Sequence, residues 1–323
     1  DDLIQQLVRQ RHRIEVYLQF DGFEDSGSQV LRGASLTETR LRAIERLGEA
    51  EINTILVCTV QPGVNEHELG RIVQFGMERP WITGVSFQPA TYSGRCVLPE
   101  QLEQRITFPD VIQGICRQTD GLWQETDFAP LPCAHPNGHT LAYAFRSGDQ
   151  LFPLARFIDL ENHLDLLSGR ITFNRSRAKE LIQEYLSRQA CGVGGCGPED
   201  SSRSVSGPKR PGTKAFAANQ TPAIDTELLN SPDVREAATA FVMRALSESL
   251  SPQDMFRITT TSFMDAYNFD IRQLMKSCVH FVLPSGHLIP FSAYNVLYRD
   301  GHVPLPPLIA GMVRSQPERQ PAG

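Results

Sequence analysis

Several cysteines lie in or beside loops, where a thiol can reach a metal: Cys133, Cys191, Cys196 and Cys278. Cys191 and Cys196 are separated by Gly-Val-Gly-Gly. Glycine lets backbone amides approach a bound sulfur-rich centre closely. Three interpretations fit these thiols: ligands of an iron–sulfur cluster, ligands of tetrahedral zinc, or free thiols on a glycine-rich loop. A single pair with four intervening residues does not separate them. Cys58 and Cys116 are interpreted as small core residues.

A second group of side chains with chemical potential ends or follows strand-like segments. Its members are amides, a carboxylate and a hydroxyl: Gln19, Asp21, Thr59, Asn65 and Gln88. In sheets with parallel strands, ligands bind at the carboxyl ends of the strands and on the loops after them. We therefore expect a binding site here, although each residue alone could equally be a strand-end or loop cap.

The elements that would position this group form a strand, helix, strand, helix, strand order. Strand-like segments occupy residues 14–20, 54–60 and 82–88, which are rich in Val, Ile, Leu and Thr without clean polar alternation. This pattern is typical of parallel strands that are covered on both faces. Amphipathic helices are predicted over residues 37–47 and 66–78. The predicted fold class is α/β.

The rest of the chain is predicted to be mostly helical. Helical spacing of apolar residues appears at 107–119, 152–167, 175–188 and 231–250, and a hairpin is expected within 279–291, around Pro284-Ser285-Gly286. Residues 126–145, with their prolines and histidines, are interpreted as a loop. Residues 198–230 have the composition of a flexible linker.

Composition excludes several classes of protein. The 323 residues suggest about two domains, and the net charge of −6 with scattered basic residues argues against a nucleic-acid partner. No apolar segment approaches the roughly 18 residues of a membrane helix, so an integral membrane protein is not expected. No signal peptide is visible, which favours a reducing compartment for the seven cysteines. Their odd number, without regular disulfide spacing, favours free thiols or metal ligation. We expect a cytoplasmic protein.

Common catalytic motifs are missing from the sequence. His135 and His139 have the spacing of zinc-protease ligands, but the intervening Pro136-Asn137-Gly138 forbids the helix that this motif requires. The sequence also lacks the GxSxG and P-loop patterns. A start on buried parallel strands leaves much apolar edge uncovered, so we expect this chain to be the later part of a longer protein.

Several segments together resemble a known family. The segments VYLQFDGF with Leu31-Arg32-Gly33, VCTVQPGVNEHELG and VSFQPATYSGR look like the fourth, fifth and sixth strands of the radical S-adenosylmethionine (radical SAM) barrel. The segments PLPCAHPNGHTLAY and CVHFVLPSGHLIPFSAYNVLYR narrow the resemblance to the branch of tetraether lipid synthase and the pterin-methylating radical SAM enzymes. The resemblance implies the C-terminal half of a partial (β/α)6 barrel, followed by a mostly α, cysteine-bearing region.

The resemblance also implies cofactors and site residues. The family binds a [4Fe-4S] cluster through a CxxxCxxC loop, which this sequence lacks, and the open iron binds S-adenosyl-L-methionine (SAM). Gln19 and Asp21 would approach the ribose of SAM, and Thr59, Asn65 and Gln88 its adenine and methionine side. Auxiliary iron–sulfur centres of the family favour the metal interpretation of Cys133, Cys191, Cys196 and Cys278. Gly138 stands where relatives can have a further cysteine.

The function implied is formation of a 5'-deoxyadenosyl radical for C–C bond formation or methylation on a lipid or pterin-like substrate. An electron donor such as flavodoxin or ferredoxin would be a partner. The expected division is a half-barrel at 1–99, an auxiliary cluster region at 100–197, the linker at 198–230 and a helical and hairpin region at 231–323. Two alternatives remain: a zinc-stabilised, non-catalytic α/β binding protein, and an inactive radical SAM partner subunit.

Overall fold

The computed structural model describes residues 2–93, 104–131, 134–158, 175–192 and 231–308. For residues 175–177 and 188–192 only the backbone is described. The predicted linker at 198–230, and the thiols of Cys133, Cys191 and Cys196, lie outside what the structure describes. Among the described residues, no helix combines the length and apolar character needed to cross a bilayer.

The described helices alternate with strands in the first third of the chain and recur later. In chain order they are α1 (Asp2–Gln10), α2 (Asp25–Arg32), α3 (Thr37–Glu49), α4 (Leu69–Met77), α5 (Phe108–Gln118), α6 (Arg175–Gly192), α7 (Pro232–Leu246), α8 (Ile271–Leu274) and α9 (Phe291–Ala293). Short 3-10 turns lie at Glu66–Glu68, Glu125–Asp127, Leu154–Arg156 and Pro252–Asp254, and a π-helix lies at Tyr294–Tyr298.

The described strands form one large sheet and one hairpin. They are β1 (Val16–Gln19), β2 (Thr54–Val60), β3 (Ile82–Pro89), β4 (Ala129–Pro130), β5 (His139–Ser147), β6 (Gln150–Pro153), β7 (Met255–Thr261), β8 (His280–Val282) and β9 (Leu288–Pro290). The large sheet has the order β1-β2-β3-β7-β5-β4, with β6 on β5. β1, β2, β3 and β7 are parallel, whereas β5 is antiparallel to β7, β4 and β6.

The parallel strands predicted from sequence are confirmed, and so is the α/β class. β2 and β3 are buried on both faces along almost their whole length, which explains their uninterrupted apolar sequences. One core lies between the sheet and helices α4 and α5, and includes Leu56, Phe87 and Ile115. A second core lies between β5 and helices α6 and α7, and includes Tyr143 and Phe241.

The prediction of a mostly helical region after residue 100 is wrong for part of the chain. Strand β5 (139–147) begins inside the segment 126–145 that was interpreted as a loop. β6 and a 3-10 turn occupy the start of the helix predicted at 152–167. The flanking proline and glycine indicated a loop, but Leu141 to Phe145 are buried on both faces of the sheet. The helices at 107–119, 175–188 and 231–250 and the hairpin are confirmed, with bounds given above.

Contacts divide the chain into two compact units. The first comprises Asp1–Ala90 and Arg105–Ser262, and contains the large sheet. The second comprises Thr91–Gln104 and Phe263–Gly323, and contains the hairpin of β8 and β9. The boundary predicted after residue 99 does not coincide with this division, because β7 pairs with β3 inside the first unit.

The buried hydroxyl of Thr260 gives a prediction about stability. Thr260 on β7 is fully buried, and its Oγ1 has no hydrogen-bond partner among the described residues. An unpaired buried hydroxyl is unfavourable, so Thr260→Val should raise the free energy of unfolding by about 1 kcal/mol in urea titrations. Thr54 provides the matched control, because its equally buried hydroxyl donates to the Ile52 carbonyl oxygen at 3.1 Å. Thr54→Val should lower stability, and a loss in both variants would contradict the prediction.

Candidate functional site

The polar residues predicted at strand ends meet at the carboxyl ends of β1, β2 and β3. Thr59 on β2 pairs directly with Gln88 on β3, so their side chains lie on the same face of the sheet. Gln19, the last residue of β1, reaches the same face, since its Nε2 lies 3.4 Å from the hydroxyl of Thr59. The parallel arrangement thus brings together residues that are far apart in sequence.

The carboxylate of Asp21 is the electrostatic centre of this group. Its side chain is only 2% exposed and accepts hydrogen bonds from several donors. The bonds come from Gln19 Nε2 (2.7 Å), Arg32 Nε and Nη2 (each 2.9 Å), Arg40 Nη1 (2.8 Å) and the Thr59 backbone N–H (3.1 Å). The two bonds from Arg32 form a bidentate pair, which is the strongest geometry for such contacts.

These contacts keep Asp21 ionised. Burial disfavours the carboxylate, but the hydrogen bond and charge of Arg32, with the bonds from Gln19 and Thr59, outweigh it and lower the pKa of Asp21. The same pairing raises the pKa of Arg32, against the opposing effect of its partial burial. Because one carboxylate faces two guanidinium groups, the cluster has a net positive charge.

The arginines of this cluster were missed as site residues by sequence reasoning. Arg32 ends helix α2, and Arg40 lies in the first turns of α3. The signal available in the sequence was a strand-end aspartate followed by two helices with arginines, since a buried carboxylate needs a cationic partner. Arg32 also donates from Nη2 to the hydroxyl of Thr59 at 2.8 Å, and its Nη1 makes no hydrogen bond to any described residue.

Asn65 lies in the group, but its polar atoms are already occupied. The side chain is 1% exposed, and its Nδ2 donates to the carbonyl oxygens of Asp21 (2.7 Å) and Thr59 (2.8 Å). Its Oδ1 accepts from the backbone N–H of Gln61 at 3.0 Å. Asn65 therefore ties the loop after β2 to the loop after β1, and holds the other residues in place.

Gln88 has the opposite character. It lies at the carboxyl end of β3, it is partly exposed, and within the described part of the chain its side-chain amide makes no hydrogen bond. Both the donor and the acceptor of this amide are therefore available to a ligand that lies beside Thr59.

The loop after β1 depends on a close contact between Gly22 and Glu68. Gly22 has a φ of +139°, and a Cβ there would lie 2.0 Å from Glu68 Oε2. Glu68 is 3% exposed, and its carboxylate oxygens accept from the backbone N–H of Phe23 at 3.0 Å. Any side chain at position 22 would displace this carboxylate.

Gly22→Ala should therefore destabilise the loop after β1, which contains Asp21. We expect a loss of about 2 kcal/mol in the free energy of unfolding, since the alanine adopts a strained φ and Glu68 loses its backbone contact. Thermal or urea unfolding measures the loss. Gly63 is the control, because its φ of +72° is also positive but nothing lies within 4 Å of a Cβ placed there. A Gly22→Ala variant no less stable than Gly63→Ala would exclude the contact as the cause.

The cysteines predicted as metal ligands are only partly described. Cys191 lies in the last turn of α6, and Cys278 is exposed in the second unit, where its Sγ donates to the Lys276 carbonyl oxygen at 3.7 Å. Cys58 is buried in the core, and burial raises the pKa of its thiol well above the usual value. Among the described residues, no group of three or more potential ligands is arranged to hold a metal.

Comparison with known proteins gives one informative relative. No protein-family model matches the chain. The chain is 29% identical, over 313 residues, to 7,8-dihydro-6-hydroxymethylpterin dimethyltransferase of Methanocaldococcus jannaschii. The alignment covers 88% of this chain but 56% of the relative, so the chain spans about half the length of the protein it matches. By sequence, then, this chain is similar to part of an archaeal enzyme that is named for methylating a dihydropterin.

Proposed function

We propose that this chain contributes the SAM-binding rim of a radical SAM methyltransferase that acts on a pterin-like substrate. The rim is the row of polar residues at the carboxyl ends of β1, β2 and β3. The observation that carries the proposal is the convergence of Gln19, Asp21 and Thr59 with Arg32 at the carboxyl ends of β1 and β2. The likeness to a dihydropterin dimethyltransferase supports methylation of a pterin over modification of a lipid chain.

The donors and acceptors of the rim match the polar parts of SAM. Arg32 can donate from its remaining nitrogen, Nη1, to a carboxylate, which guanidinium groups bind well. The hydroxyl of Thr59 and the amide of Gln19 can bind ribose hydroxyls. When bound, SAM and its iron–sulfur cluster supply the radical chemistry of the reaction.

Asp21 and Asn65 take a different part from the one expected. The hydrogen bonds of the Asp21 carboxylate are made to residues of this chain. We therefore propose that Asp21 orients Arg32 and Gln19 and does not contact the ribose directly. Asn65 is assigned to holding the loops. Both are positioning residues.

Iron–sulfur ligands are proposed at Cys133, Cys191, Cys196 and Cys278. Thiolates bind iron in clusters, and also bind zinc in tetrahedral sites, so the residue types fit both metals. A flavodoxin or ferredoxin is proposed as the electron donor. The location proposed for the enzyme is the cytoplasm.

The test is anaerobic reconstitution of the protein with iron and sulfide, followed by electron paramagnetic resonance and by calorimetric titration with SAM. The proposal expects a reducible cluster signal and saturable SAM binding. Bound zinc with no reducible signal would overturn it in favour of a zinc-stabilised binding protein. A cluster without SAM binding would indicate a partner subunit that does not perform the reaction.

Substituting Arg32 tests its part in this site. Arg32→Lys retains the positive charge but loses the planar fork that engages Asp21 and leaves Nη1 for a carboxylate. We expect the dissociation constant of SAM to rise about tenfold, which corresponds to one charge-assisted hydrogen bond. Arg42→Lys on the exposed face of α3 is the control, since its side chain is 65% exposed. Equal SAM affinity in both variants would remove Arg32 from the site.

A further inference from the structure

The row of polar side chains at this edge of the sheet continues beyond the residues predicted from sequence. Phe87 on β3 pairs with Thr260 on β7, so the next residues, Gln88 and Thr261, lie together on the opposite face. Thr261 pairs in turn with His139, the first residue of β5. Because β5 is antiparallel to β7, it begins at the edge where the parallel strands end.

Strand spacing gives the size of this extension. Neighbouring strands lie about 4.8 Å apart, so Gln88 and His139, separated by β7, are about 10 Å apart. That distance is on the order of the long dimension of a fused two-ring heterocycle, measured across its van der Waals surface, so such a ring could lie along this row of side chains. All three residues belong to the first unit.

His139 is held in place by Thr261. The hydroxyl of Thr261 lies 3.0 Å from Nδ1 and 3.5 Å from Nε2 of the imidazole. Burial lowers the pKa of His139, against a smaller opposing effect of the backbone bond at Thr260, so the ring is neutral at neutral pH. A neutral imidazole has one donor and one acceptor, and these engage the backbone of Thr260 and the hydroxyl of Thr261, so the oxygen of Thr261 keeps a lone pair for a ligand.

The two ends of the row of polar side chains therefore differ in charge. The end over β1 and β2 contains the charged cluster of Asp21, Arg32 and Arg40, which suits the ionic amino-acid end of a cofactor. The end over β3, β7 and β5 presents an amide, a hydroxyl and an imidazole, all uncharged. Uncharged donors and acceptors match a neutral ring whose edge alternates N–H groups with carbonyl oxygens and ring nitrogens.

We propose that Gln88, Thr261 and His139 form a subsite for the pterin ring of the substrate, beside the charged end that binds SAM. The inference rests on the proposed function and adds the location of the second ligand. Gln88 and Thr261 contact the ring edge, and His139 is a positioning residue that orients the hydroxyl of Thr261. Nothing in the sequence motifs pointed to Thr261.

The test measures binding of two ligands to the same variants of the protein. Binding of 7,8-dihydro-6-hydroxymethylpterin is followed by its fluorescence, and binding of SAM by calorimetry. His139→Ala and Thr261→Val should each raise the dissociation constant of the pterin about tenfold and leave that of SAM within about twofold, as expected for loss of one hydrogen bond. Thr261→Ser keeps the hydroxyl and should restore pterin affinity.

Thr260→Val is the matched control for this test. Thr260 is adjacent to Thr261 on the same strand but faces the buried core, so its substitution should leave the affinity for both ligands unchanged. The subsite is wrong if His139→Ala and Thr261→Val bind the pterin as tightly as the parent protein. If the parent protein binds SAM but no pterin, the subsite and the substrate part of the proposed function both fail. If all variants lose both ligands equally, the residues act on folding and the subsite is overturned.

Discussion

Asp21→Asn should lower the free energy of unfolding by about 3 kcal/mol at neutral pH. The substitution keeps the shape of the side chain but leaves Arg32 and Arg40 facing each other without the carboxylate that both contact. Removing one partner of a buried ion pair usually costs about 3 to 5 kcal/mol, and the lower value applies because the Arg32 side chain is 30% exposed. Urea unfolding measures the loss. Asp233→Asn, on the exposed first turn of α7, should change stability by less than about 0.5 kcal/mol.

The pH dependence of the same pair of proteins gives a second readout. The pKa of Asp21 is lowered in the folded protein, so its contribution to stability is fully present above the unfolded value of about 3.9 and is lost as pH falls through the folded pKa. The difference in stability between the parent protein and Asp21→Asn should therefore shrink in acid. A difference that stays constant from about pH 7 to about pH 3 would contradict the assigned charge of Asp21.

Arg257→Met should lower the free energy of unfolding by about 4 kcal/mol. Arg257 on β7 donates to Glu15 at 2.7 Å and to the hydroxyl of Tyr17 at 3.0 Å, and the two charged side chains are only 6% and 15% exposed. The methionine fills the space of the arginine stem but leaves the carboxylate of Glu15 without its cation. Unfolding in urea would detect a loss of this size directly.

A double substitution separates charge from packing. Glu15→Gln combined with Arg257→Met removes both charges, so the loss should be smaller than in Arg257→Met alone. The exposed pair of Arg42 and Glu38 is the control, because its atoms lie 3.9 Å apart with side chains 65% and 93% exposed. Arg42→Met should change stability by less than about 0.5 kcal/mol. If Arg257→Met and Arg42→Met lower the free energy of unfolding equally, burial of the pair of Arg257 and Glu15 contributes nothing to stability.

The sequence predicts best those strands whose two faces are both buried. β2 and β3 are covered on both faces, so their composition alone indicated parallel strands. β5 was missed because the segment His135 to His139 contains proline and glycine, which indicate a loop. These residues carry no information about the apolar residues that follow them. β7 is rich in threonine, and only its pairing with β3 and β5 makes it a central strand.

The site was predictable where the backbone alone determines the position of a residue. Thr59 and Gln88 could be placed side by side because the ends of parallel strands meet at one edge. Arg32 and Arg40 could not, because the direction of a side chain on a helix depends on how that helix packs. Asn65 had a suitable residue type, but composition does not distinguish an amide that faces a ligand from one that binds carbonyl oxygens of neighbouring loops.

The pairing of β3 with β7 affects how this protein can be made in the cell. β3 ends at Pro89, and β7, which covers its edge, begins at Met255, so the central pair of the sheet joins segments from distant parts of the chain. Such non-local pairing slows folding, because the intervening chain must be ordered before the pair is stabilised. During translation, β3 emerges from the ribosome long before its neighbour and presents an open, apolar edge. We expect the nascent chain to need chaperone protection until β7 is synthesised.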